Sequence, residues 1–159
     1  MIFNRTQNDV NTAIRIRNEK IKFDPVTMQP TNSEELTESE LKTLERGTIT
    51  YNTLNRIEDK QVELKNLFNE IGYWNTEITN KTWGGTQLFK EDDFQRIIDN
   101  TNVLRDAFFV YKNTPKTPPV SYQFEDLNSL EKILYDLDVM INDVKSNYKE
   151  CGTFECGEE

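Results

Sequence analysis

The chain has no histidine and only two cysteines among its 159 residues. Without imidazole it lacks the commonest general base near neutral pH and the commonest transition-metal ligand. Two thiols cannot complete a four-ligand zinc site by themselves. Cys151 and Cys156 sit among Glu150, Glu155, Glu158 and Glu159, and neighbouring negative charge raises a thiol pKa, so the pair does not read as a redox site. Free thiols are expected; a disulfide would need a tight turn of the tail. No apolar run approaches the ~18 residues of a membrane span, and Met1–Thr6 lacks the apolar stretch of a secretory signal. Positive charge is also in deficit: 19 Lys and Arg stand against 28 Asp and Glu, a net charge of −9. A phosphate backbone would be repelled. The expectation is no cofactor, no metal, no nucleic acid, no membrane contact and no enzyme activity.

What the sequence has is helix periodicity. Leu127, Leu130, Leu134, Leu137, Ile141, Val144 and Tyr148 recur at alternating steps of three and four, the apolar seam of a heptad repeat. They imply a long helix from about Ser121 to Tyr148. Two more segments share the period: Leu54, Ile57, Gln61, Leu64, Phe68, Ile71, and Phe94, Ile97, Thr101, Leu104, Phe108. The first of these should start at a Thr50 cap and stop at Gly72; the second should run from Glu91 to about Tyr111. Gln61 breaks its seam. Either it is buried and fixes register, or the helix lies edge-on there, and edge-on is expected. Glu91-Asp92-Asp93 complements a helix dipole more simply than it makes a metal site.

Two shorter helices precede these. Thr6 and Asp9 form a capping-box pattern, followed by Val10, Ala13, Ile14 and Ile21 on one face; Thr37 and Glu40 repeat the pattern before Leu41 and Leu44, and Gly47 ends that helix. Between them Asp24–Ser33 carries two prolines and turn formers, a linker or a docking arm. Asn113–Pro119 is a proline-rich, extended connector. Tyr73–Leu88 is irregular and contains both tryptophans. Its aromatics, Tyr73, Trp74 and Trp83, either plug the end of the bundle, face a protein partner, or stack on sugar. The connectors look short enough for antiparallel neighbours. The expected architecture is all-α, a three-helix up-down bundle (50–148) with an N-terminal helical arm (1–49), an irregular aromatic loop, and a C-terminal tail (149–159). Phe3, Val10 and Ile14 on the arm and Phe154 in the tail join the loop aromatics as candidate interface residues.

An ordered set of short segments then carries a resemblance: Asn4–Val10 (NRTQNDV), Thr53–Glu58 (TLNRIE), the loop ending at Trp83, Phe94–Ile98 (FQRII), Thr114–Pro119 (TPKTPP), Asn128–Leu134 (NSLEKIL) and Cys151–Glu158 (CGTFECGE). Together they resemble small proteins encoded in tail modules of phages, prophages and phage-tail-like bacteriocins of Clostridia and related Firmicutes. That resemblance implies a virion structural component of the distal tail, in the baseplate or the tail fibre and its attachment. It would be made in the bacterial cytoplasm and carried in the particle, with other tail proteins and further copies of itself as partners. It implies no active site. Two alternatives belong beside it: a receptor- or carbohydrate-binding module of the tail, and an assembly chaperone absent from the finished particle.

Overall fold

The computed structural model describes residues 1–27, 30–32, 35–73, 76–84, 87–121 and 123–151, without the side chains of 148–151. Among these the chain is all-α. Its helices are α1 (Gln7–Lys20), α2 (Glu38–Gly47), α3 (Tyr51–Glu70), α4 (Glu91–Asp106) and α5 (Phe124–Cys151). There is no strand among the described residues, and Phe23 and Pro30 form an isolated antiparallel bridge.

The helix starts follow local chemistry. Thr6 and Asp9 close a capping box, as do Thr37 and Glu40, each pair satisfying two orphan N–H groups. The Thr50 hydroxyl accepts from the Thr53 N–H at 3.2 Å. At α4 the Asp93 carboxylate accepts from the Lys90 N–H at 3.2 Å and meets Lys81 Nζ at 3.1 Å, so the acidic run serves a helix end. α3 ends in a Schellman motif: Gly72 has φ +91°, its N–H reaches the Asn69 carbonyl at 3.1 Å, and the Tyr73 N–H reaches the Phe68 carbonyl at 2.9 Å. Glycine takes that left-handed conformation without steric cost.

α1 and α2 pack as an antiparallel pair. Asp9 pairs with Arg46 at 2.8 Å, and Lys20 with Glu40 at the far end. Bonds from Lys20 and Thr37 lower the Glu40 carboxyl pKa from 4.5 to about 2, so the link persists well into acid. The crossing point is Gly47, where an added Cβ would overlap the Asp9 carbonyl oxygen and the Ala13 Cβ. Helix propensity alone would favour alanine there by about 1 kcal/mol. Gly47→Ala should instead destabilise the protein by about 1–3 kcal/mol, because both obstacles belong to a packed helix. The sign of the change in a urea melt decides between the two effects.

α3, α4 and α5 pack on one another. Their seams supply the core: Leu54, Ile57, Leu64, Phe68, Phe94, Ile97, Leu104, Leu127, Leu130, Leu134, Leu137 and Ile141 are all buried. Gln61 is fully buried rather than edge-on. Its side-chain amide donates to the Ile97 carbonyl at 2.8 Å and to Thr101 Oγ1 at 2.9 Å, and its oxygen accepts from Asn100 at 3.2 Å. A buried amide is tolerated when its bonds are made in this way.

The helix directions correct the up-down expectation. Between α3 and α5, Arg56 meets Glu131 (2.9 Å), Lys60 meets Asp138 (3.4 Å) and Glu70 meets Lys145 (2.5 Å); both chains advance together. Between α3 and α4, Glu58 meets Arg96 (2.6 Å), Gln61 meets Thr101 (2.9 Å) and Phe68 meets Phe108 (ring centroids 5.5 Å apart). All three helices therefore run parallel. The described parts of the connectors make this possible by running back along the helices. In the first, over residues 76–84, Glu77 pairs with Lys65, the Lys81 N–H reaches Glu58, and Trp83 exchanges two backbone–side-chain bonds with Asn55 (2.7 and 3.0 Å). In the second, residues 107–123, Tyr111 lies by Asp143 and Thr114 bonds Asp136 at 2.7 Å. An extended residue covers about 3.3 Å against 1.5 Å in a helix, so a short stretch of connector returns a long stretch of helix.

Candidate interface

The parallel arrangement gives the molecule two unlike ends, and the candidate interface residues divide between them. Trp83 does not present its indole: it is 3% exposed, its Nε1–H donates to Glu58 Oε1 at 2.6 Å, and its ring meets Phe89 edge-on at 5.4 Å. It plugs the core at the level of Asn55 and Glu58, whereas Tyr73 lies at the level of Phe68. Ten or more helical residues separate those levels, roughly 15 Å. Tyr73 and Trp83 therefore cannot form one sugar-stacking platform, because the extended connector carries them apart. Trp74 and Phe154 lie outside the described residues. Phe3 is half-buried on α5, against Tyr135 (centroids 5.0 Å) with Lys132 over its ring. Val10 is half-buried, and Ile14 is 46% exposed on α1.

At the C-terminal end of the three helices the Schellman turn sets Tyr73 over Phe68. Phe108 meets Phe68 and also Tyr73, the latter edge-on at 5.2 Å. Phe109 meets Phe108 at 5.7 Å but is 76% exposed. Tyr111 stands beside Asp143, and partial desolvation, then that carboxylate, raises its phenol pKa. Phe109 and Tyr111 were not singled out in the sequence, where the helix was expected to reach Tyr111. α4 stops at Asp106 because Phe108 turns onto the Phe68–Tyr73 pair. The adjacent aromatics at 108 and 109 were the available signal, since neighbours on a helix cannot both face one seam. Tyr73, Phe108, Phe109 and Tyr111 thus form an aromatic cap with exposed faces, a composition that protein interfaces favour.

At the N-terminal end residues 1–5 lie on α5. Arg5, its side chain 1% exposed, donates to Glu131 at 2.7 Å; Arg56 reaches the same carboxylate oxygen, and the Ile2 N–H bonds the other. Beside this clasp a cavity of about 220 Å³ opens between Gln7, Val10, Ile49, Phe124 and Leu127. A second, larger groove of about 420 Å³ lies between the α1–α2 pair and the start of α3.

Among the described residues no three His, Cys, Asp or Glu side chains are placed to hold a metal ion, and no helix is long and apolar enough to cross a membrane. In comparisons with known proteins, no family model, curated protein or solved structure matches this chain.

Proposed function

We propose that the chain is a structural subunit of the distal tail, baseplate or fibre region, of a phage or phage-tail-like particle, working through protein–protein contacts. The observation that carries an interface role is the aromatic cap, where Phe109 and Tyr73 keep large exposed faces at one end of the helical body. The resemblance to tail-module proteins supplies the setting. Glu58, Gln61 and Glu131 spend their buried polar atoms on bonds within the fold, as suits a scaffold whose contacts are made at its surface.

Mass spectrometry of purified particles from the encoding host should find this chain as a component. Phe109→Ser should lower its incorporation at least several-fold while leaving thermal stability near that of the parent, because truncating an exposed anchor removes interface rather than core. Particles that lack the chain would turn the reading toward an assembly chaperone.

A further inference from the structure

The larger groove has features that select an occupant. Its walls are Ile21, Phe23, Leu44, Ile49 and Tyr51, with Arg17 stacked over the Phe23 ring at 5.3 Å. The volume lies in the range of sites that bury a ligand's apolar part. In a chain of net charge −9, residues 1–27 hold five basic against three acidic side chains. Arg17, in the groove's wall, has no carboxylate partner among the described residues. An apolar slot with an unpaired arginine in its wall fits an acidic peptide with one aromatic anchor.

The chain contains one such sequence: Glu150-Cys-Gly-Thr-Phe-Glu-Cys-Gly-Glu-Glu159, with four glutamates around Phe154. It cannot fill its own groove. The α3–α5 pairs place Tyr51 level with about residue 126 of α5, so Cys151 lies roughly 38 Å farther along the parallel bundle. Three residues from Cys151 to Phe154 span about 10 Å at most. The groove and the Cys151 end of α5 are at opposite ends of the described fold.

We propose that the C-terminal segment of one copy, anchored by Phe154, docks in the groove between α1–α2 and α3 of a second copy, joining subunits head to tail. This names a partner for the interface reading above and rests on it. Such a contact is heterologous, so it propagates into rings or filaments rather than stopping at a dimer. Eight residues bury less than the roughly 1,600 Å² of a standard interface. The contact is therefore weak between free subunits and gains strength when many are held in one particle.

Sedimentation equilibrium of the full chain tests it. The parent should show a mass that rises with concentration and falls with salt, since the rim contacts are exposed charges. Phe154→Ala with Glu155→Lys, and separately Arg17→Glu with Phe23→Ala, should each weaken self-association by roughly tenfold or more. Each variant keeps one intact partner surface, so an equimolar mixture should form a one-to-one dimer that neither forms alone. A monomeric parent at every concentration reached, unchanged association in both variants, or a mixture that stays monomeric would each overturn the proposal. If the variants still enter purified particles normally, the head-to-tail contact fails while the structural-subunit reading stands.

Discussion

Glu58→Ala should destabilise the protein by about 3–5 kcal/mol, measured by urea unfolding. The Glu58 side chain is 1% exposed and receives bonds from three partners. Arg96 donates from both terminal nitrogens at 2.6 and 2.8 Å, Trp83 Nε1–H at 2.6 Å, and the Lys81 N–H at 2.6 Å. These bonds hold the guanidinium above its ordinary pKa against the opposing effect of burial. Alanine leaves an indole N–H and a backbone N–H without their acceptor and a half-buried cation without its counter-charge, and each loss carries its own desolvation cost. Much of the effect should therefore be recovered when the cation goes too: Glu58→Met with Arg96→Met should be closer to the parent than either single change. A double variant no better than Glu58→Ala would show that the connector's backbone, rather than the ion pair, sets the cost. Since Lys81 and Trp83 belong to the first return segment, the same substitution should raise hydrogen exchange across residues 79–84 before the helices open.

A comparable loss, about 3–5 kcal/mol, is expected for Glu131→Ala, and its local signature differs. Glu131 is fully buried on α5 and is shared by Arg5, Arg56 and the Ile2 N–H. Burial pulls the Arg5 pKa down against the favourable charge of Glu131. Without the carboxylate, the buried Arg5 guanidinium loses its counter-charge, while Arg56 keeps Glu45. The N-terminal segment should then come away from α5 and become the first site of protease cleavage. Arg5→Ala in the Glu131→Ala background should cost less than in the parent, because the partner is already gone. Equal costs in both backgrounds would mean that Asn128, which bonds the Arg5 N–H at 3.1 Å and its carbonyl at 3.0 Å, holds the segment without Glu131.

The features legible in the sequence are those whose cause lies within a few residues. Thr6 with Asp9, Thr37 with Glu40, and Thr50 mark helix starts, because each cap bonds only three positions away. Gly72 ends α3 as expected, since its positive φ is a local requirement. The seams on α3, α4 and α5 likewise predicted the core. Helix direction was not legible, because a three–four repeat reads the same for either neighbour orientation. The deciding contacts, Lys81 on Glu58 and Thr114 on Asp136, link residues 22 or more positions apart. Gln61 followed the same logic: its partners Ile97 and Thr101 lie on another helix, and nothing near it in sequence announces them. Of the two candidate loop aromatics in the described residues, Tyr73 is exposed at the surface and Trp83 is claimed by the core through Glu58. Phe109 and Tyr111 were not legible as cap residues because the end of α4 is set by a ring contact across the fold.

Three parallel helices joined by returning extended segments also constrain how the molecule is made. An up-down bundle can zip together from adjacent hairpins, each helix docking as soon as it follows its neighbour. Here α3 meets α4 only after the first connector has run the length of the bundle, and both wait for α5, whose Leu127–Ile141 stripe completes their shared core. Such distant contacts slow folding at a given stability. On the ribosome α5 emerges after the two helices it covers, so the newborn chain carries bare apolar faces until α5 has followed them. A subunit with this topology is exposed to wrong partners early and committed late, which favours production close to the neighbours it is meant to join.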